Sequence, residues 1–349
     1  METMNKPRKT TLADVAAHAN VSAITVSRAL RNPDKVSAAL RDRIQASIRL
    51  LGYVPDPAAR ALASGRTDVI GVIIPSVTNN VYSDVLRGVY AGIEGTPFDV
   101  QLGNSRYSPS KEEDLLRVFL SQKPAGLIVT GTDQSPAAQA LLRAAPCPLV
   151  QIMDISDDPV NMIVGFSHFD AARAATRHLL AQGYRRPAFL GARMDPRTQR
   201  RFEGFREATN SAGVFDPRRV VTTTEPSTVT MGAQLFADLL AQTPDADAVF
   251  CNNDDLALGA LFEAQRRRIA VPDALGICGF NDLEMMAAAE PALTSVRTHR
   301  NEMGGRAVAM LLQSLETGGR AGPRRVDLGF DIMQRTSTRL PHAVPPGPS

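Results

Sequence analysis

The sequence predicts an α/β protein in two parts, a three-helix unit over residues 1–53 and a doubly wound core over residues 68–340. Three observations predict it. Near the N-terminus, apolar residues recur at helical spacing between turn residues. From residue 69 onward, short apolar runs alternate with amphipathic segments, which implies strands and helices in a doubly wound layering. The charge is also segregated. Residues 1–66 hold eleven Lys/Arg against five Asp/Glu, a balance of +6, which leaves −3 for the rest of a chain whose total is +3. Residues 54–67 read as a linker that ends in a hinge helix, and residues 341–349, PHAVPPGPS, are too short and Pro-rich to fold and are expected to be disordered.

The first element begins at Thr11. With Asp14 it forms a T-x-x-D capping box, whose hydroxyl and carboxylate satisfy amide donors that the helix start leaves open. Leu12, Val15, Ala16 and Ala19 then share one face. Ala19-Asn20-Val21 makes a tight turn, since Asn tolerates a left-handed backbone. Ser22 caps the second helix, in which Ile24, Thr25, Ser27 and Arg28 are placed to reach bases and phosphates. A third helix runs from about Ser37 to Leu51 and is stopped by Gly52 and Pro55. A plain helical hairpin is the alternative. The third helix and the basic excess at this end favour a helix-turn-helix unit that neutralises phosphates of double-stranded DNA.

In the core, residues 69–76, 125–131, 148–154, 187–192, 248–254 and 275–282 read as strands. Their near-continuous apolar character suits parallel strands covered on both faces. Segments near 80–95, 110–122, 169–182, 199–213, 229–241 and 254–267 carry helical spacing between them. Ligands of such sheets bind beyond the carboxyl ends of strands, where Asp154, Asn253 and Asn281 fall.

TLADVAAHANVSAITVSRAL (11–30), the stretch from Val36 to Ser76, FSHFDAA (166–172), the R-F-E-G-F run from Arg201, NDDLALGA (253–260) and GFND (279–282) occur in order. Together they resemble the LacI/GalR repressor family across nearly the whole chain. NNVYSDVLRG (79–88) and the segments IVGFSHFDAAR and LGARMDPRT resemble the gluconate repressors within it. The resemblance implies a periplasmic-binding-protein-like core of two subdomains that clasp a small ligand, a homodimer, and an operator-DNA partner. It places base-reading side chains at Ala23 and Ile24, with Arg28 further along. The apolar pair cannot make the bidentate bonds of Gln or Asn to adenine, but Ile24 can meet a thymine methyl and Arg28 a guanine. Thr25 and Ser27 are expected on phosphates, with Val26 in the core. In the hinge, Leu62 matches an apolar wedge in the minor groove and Arg60 a phosphate contact. Asp56 stands where the family pattern has Asn, and Pro57 follows it.

For the ligand, the resemblance carries over Tyr82 as a covering aromatic, Asp154 and Asn253 as polar groups at strand ends, and Arg201 as a grip on ligand oxygens. Asn281 stands where many relatives have Asp, which removes a carboxylate that would repel an anion. Arginines also gather between Arg193 and Arg201. Guanidinium forks suit carboxylates, so both features point to an acidic sugar, gluconate or a keto-gluconate, acting as inducer. Of these arginines, only Arg201 is expected at the ligand, and the others as solvated helix charges. The alternatives are another sugar such as 2-ketogluconate or ribose, a corepressor, or a sugar-acid enzyme.

Against an enzyme, the sequence has no G-x-S-x-G elbow, P-loop, zinc motif or G-x-G-x-x-G after a strand. His168 near Asp170 and the Asp157–Asp158 pair are expected to be structural. No cofactor or metal is expected. Cys147, Cys251 and Cys278 are odd in number and lack C-x-x-C or His spacing, which favours buried thiols in a reducing compartment. No apolar run approaches the roughly 20 residues that span a bilayer. The charged N-terminus METMNKPRKT lacks an apolar signal region, so a cytoplasmic protein is expected rather than a periplasmic sugar-binding one.

Overall fold

Two six-stranded sheets of the same strand order carry the larger part of the chain. The computed structural model describes residues 10–31, 33–54, 65–318 and 324–338. They belong to two units, residues 1–67 and 68–349. Arg60 and Leu62, most of the expected hinge, and the tail 341–349 lie outside the described residues.

The smaller unit has α1 (Leu12–His18), α2 (Ala23–Arg31), a 3-10 turn at Pro33–Lys35, and α3 (Ala38–Leu51). The capping box forms at α1: the Asp14 amide donates to Thr11 Oγ1 at 3.3 Å and the Thr11 amide to Asp14 Oδ2 at 2.8 Å. Asn20 turns the chain with a φ of 50°. The hydroxyl of Ser22 then accepts the Thr25 amide at 3.2 Å and opens α2. Gly52, at φ 57°, closes α3 in the left-handed conformation that glycine adopts without strain. Val15, Ala16, Ala19, Val26, Ala29 and Ile44 form the core, and the alanines let the helices approach closely. His18 Nδ1 meets Ser47 Oγ at 3.0 Å and Thr10 Oγ1 donates to the Leu51 carbonyl at 3.1 Å, tying the start of the unit to α3.

In the larger unit, β1 (Val69–Ile74), β2 (Asp99–Asn104), β3 (Gly126–Thr130), β4 (Leu149–Ile152), β5 (Met162–Gly165) and β11 (Arg325–Asp327) form one sheet. Its order is β2-β1-β3-β4-β5-β11, all parallel. The second sheet has β6 (Pro187–Gly191), β7 (Val220–Thr222), β8 (Ala248–Cys251), β9 (Gly276–Asn281), β10 (Thr294–Arg297) and β12 (Asp331–Met333). Its order is β7-β6-β8-β9-β10-β12, parallel except for β12 against β10. The helices are α4 (Asn80–Ile93), α5 (Pro109–Ser121), α6 (Pro136–Arg143), α7 (His168–Ala181), α8 (Pro196–Ser211), α9 (Val229–Gln242), α10 (Asp254–Arg266), α11 (Glu284–Ala288) and α12 (Arg300–Thr317).

The chain passes between the sheets after β5, after β10 and after β11, which makes two subdomains. After the second passage α12 returns to pack on α4. A Cβ at Gly304 would run into the Val85 carbonyl and one at Gly88 into that of Asn301, so glycine is required at this crossing. Strand order reverses between β1 and β3 and again between β6 and β8. The crevice beyond the carboxyl ends at such points is where ligands bind in doubly wound sheets.

Candidate functional site

The N-terminal half of α2 is solvent-facing. Ser22, Ala23, Ile24 and Arg28 are exposed, Thr25 and Ser27 half-buried, while Val26 and Ala29 turn into the core. Ile24 is 72% exposed, an apolar side chain held in water where a groove-reading residue would stand. Thr11 is exposed at the start of α1. These are the positions that the sequence marks for DNA.

The cleft lies at the carboxyl ends of both sheets and has two chambers that share Tyr107, Arg193, Asp195 and Arg197. The inner chamber, about 60 Å³, is lined also by Asn79, Tyr82, Thr198, Arg201, Asn252, Asn253 and Asn281. The outer one, about 390 Å³, is lined also by Pro75, Ser105, Ser108, Glu112, Thr130 and Asp133.

The start of α8 dominates the cleft. Asp195 caps the helix by accepting the Thr198 amide at 2.9 Å, and Pro196 follows, which fits a first turn that needs no donor there. One turn apart, Arg197 and Arg201 then point the same way. Arg197 is only 8% exposed. Its Nη2 lies 3.4 Å from Asp195 Oδ2, and its Nη1 is buried without a partner. Burial would raise the Asp195 carboxyl, but Arg197 and the Thr198 amide bring it down to about 2. Arg201 donates through Nε to His168 Nδ1 at 3.2 Å and through Nη1 to the Asn252 carbonyl, and its guanidinium stacks 3.8 Å above the Phe280 ring. Burial lowers its pKa to about 10, which leaves it charged at neutrality. His168 is held neutral by burial and by Arg201, and its Nε2 meets the Met153 carbonyl at 2.7 Å. It is therefore structural.

Tyr82 is buried on α4, where burial raises its phenol pKa. Asn79 caps that helix by accepting the Val81 amide at 3.0 Å and donates Nδ2 to the Tyr107 hydroxyl at 3.1 Å. Asn253 caps α10 through the Leu256 amide at 3.1 Å. Asn281 ends β9 at a φ of 116°; its carbonyl accepts from Arg300, and its Oδ1 is buried without a partner.

Tyr82, Arg201, Asn253 and Asn281 thus meet in the inner chamber, whereas Asp154 lines neither chamber. Its carboxylate accepts Thr132 Oγ1 at 2.8 Å and the Ile155 amide at 2.9 Å, and pairs with Arg200 of the second subdomain. Asp154 is a bridge between subdomains, because its lone pairs are already engaged. A second correction concerns the arginines expected in solvent. Arg197 is buried in the cleft, Arg193 stacks 3.8 Å over Tyr107, and Arg200 holds Asp154. The i,i+4 spacing of Arg197 and Arg201 behind a capping Asp was the available signal. Tyr107, Glu112 and Asp133 sit in segments without any motif.

A helix-turn-helix unit followed by a two-sheet core with this cleft defines a class of DNA-binding regulator. Residues 11–56 match the family of bacterial regulatory proteins, lacI family, and residues 176–338 match the periplasmic binding protein-like domain. The HTH-type transcriptional regulator GntR of Pseudomonas aeruginosa is 43% identical over 94% of this chain and 95% of its own. The crystal structure of a LacI-family regulator from Silicibacter pomeroyi superposes with a TM-score of 0.86 at 36% identity, over 95% of this chain and 99% of that one. That of GntR from Chromobacterium violaceum does so with a TM-score of 0.75 at 41% identity, over 77% and 99%. The chain belongs to the lacI family and is a DNA-binding transcriptional regulator, not an enzyme. No helix among the described residues is long and apolar enough to cross a membrane.

Proposed function

We propose that the protein is a homodimeric, cytoplasmic repressor that binds operator DNA and is released from it by a small acidic sugar, gluconate first. The observation that carries this reading is the pair of buried guanidiniums of Arg197 and Arg201 one turn apart in the cleft between subdomains. A buried cationic lining with unused donors is suited to a carboxylate. The GntR relatives support the same ligand class.

On DNA, α2 enters the major groove, with Ile24 against a thymine methyl, Arg28 on a guanine edge, and Thr11, Ser22, Thr25 and Ser27 setting the register on the backbone. Two copies read a pseudo-palindromic site that mirrors the dimer's two-fold axis. Effector binding favours the closed cleft and thereby disfavours the DNA-bound arrangement, and it shifts occupancy only by its difference in affinity for the two states. Isothermal calorimetry with gluconate, 2-ketogluconate, 5-ketogluconate and ribose tests the ligand class. Binding of a sugar acid in preference to ribose is expected; binding of ribose alone would overturn the reading.

A further inference from the structure

Two residues that line the inner chamber each carry a buried polar atom without a hydrogen-bond partner. One is a donor, Arg197 Nη1, and the other an acceptor, Asn281 Oδ1. Native proteins leave few such groups unpaired, because each forfeits its bonds to water, so a ligand that satisfies both is favoured. Arg201 has less to give, since Nε and Nη1 are committed to His168 and Asn252. At about 60 Å³ the inner chamber is much the smaller of the two. A ligand whose head sits there can run its tail into the outer chamber of about 390 Å³. There Glu112 and Asp133 offer oxygens to a ligand's hydroxyls, and the Asp133 carboxylate repels a second acid group.

We propose that the effector is a 2-hydroxy monoacid bound head-inward: its carboxylate docks on Arg197, its C2 hydroxyl donates to Asn281 Oδ1, and its polyol tail lies in the outer chamber. This rests on the acidic-effector reading above and adds orientation, the selecting residue and chain length. Arg197 thereby shares the role that family resemblance gives to Arg201, whose Nε and Nη1 hold His168 and the Asn252 turn.

Calorimetry on the full-length protein tests this with gluconate, 2-deoxygluconate, glycerate and the diacid glucarate. Removing the C2 hydroxyl leaves Asn281 unpaired and is expected to weaken binding by about tenfold or more. Glycerate, which has the head without the tail, and glucarate, which adds a second carboxylate, are both expected to bind more weakly than gluconate. Arg197→Met is expected to reduce gluconate affinity about a hundredfold, with Arg197→Lys intermediate. Thermal melting of the unliganded variants controls for folding, and the ligand series on unaltered protein decides the matter if Arg197→Met does not fold. Equal affinity for gluconate and 2-deoxygluconate, or for glucarate, would overturn the proposal, as would wild-type affinity in folded Arg197→Met. Failure of every sugar acid to bind unaltered protein would overturn the acidic-effector reading itself.

Discussion

Replacing Glu112 with Gln isolates one electrostatic cost that the cleft carries when empty. Burial raises the Glu112 carboxyl from its ordinary 4.5 to about 7, with Asp133 and Glu113 adding to the rise and Arg197 and Gln134 opposing it. Below pH 4.5 the group is protonated in folded and unfolded chains alike. Between 4.5 and about 7 the unfolded chain ionises while the fold retains the proton, so stability falls as pH rises. Above 7 the full cost is present. At 1.36 kcal/mol per pKa unit, the gap amounts to roughly 3 kcal/mol. Gln has nearly the same shape and no charge to lose. Glu112→Gln is therefore expected to melt with the unaltered protein near pH 4.5 and on the order of 5 °C above it at pH 8. Scanning calorimetry across that range reads the difference directly. A difference that stays constant with pH would refute the reasoning, because it would mean that Glu112 is solvated in the unliganded cleft.

Two further outcomes follow from the same geometry. Arg28→Ala is expected to lose about 1–3 kcal/mol of discrimination between operator and random DNA, while Lys35→Ala weakens both about equally; competition binding at matched salt distinguishes them, and equal losses would place Arg28 on the backbone. Asp154→Asn is expected to weaken effector binding by about tenfold or less without changing the order of preference between gluconate and ribose, because it loosens the Arg200 bridge rather than touching the ligand. A changed preference in calorimetry would return Asp154 to the ligand.

The small unit was legible almost residue by residue. Thr11 with Asp14, Asn20, Ser22 and Gly52 act through local backbone chemistry, which sequence carries directly. Six apolar strands of the core and six of its helices were legible for a related reason, since their pattern follows from burial on known faces, whereas β5, four residues long and as apolar and as buried, was not. β2 was not, because Asp99–Asn104 is an edge strand of mixed polarity whose side chains are mostly exposed or half-exposed. Nor was β10, where Thr294 and Ser295 are buried by side-chain hydrogen bonds rather than by apolar character. α12 escaped for a similar reason, since Gly304 and Gly305 interrupt its pattern, and Gly304 serves the crossing with α4. In the cleft, motifs named Tyr82, Arg201, Asn253 and Asn281, all of which line the inner chamber. Asp154 was named for the ligand from its strand end, which shows where a carboxylate lies and not that Thr132, Ile155 and Arg200 engage its lone pairs. Tyr107, Glu112 and Asp133 belong to loops and a helix start that come together only when the subdomains fold.

A sugar acid bound in the cleft is expected to lower affinity for DNA. Fluorescence anisotropy with a labelled duplex that the protein has selected from a random-sequence pool measures this directly, at fixed salt and increasing gluconate. Gluconate is expected to weaken binding by a coupling of about 1–3 kcal/mol and ribose to leave it unchanged. Unchanged or tightened operator binding at gluconate concentrations that saturate the cleft would contradict it.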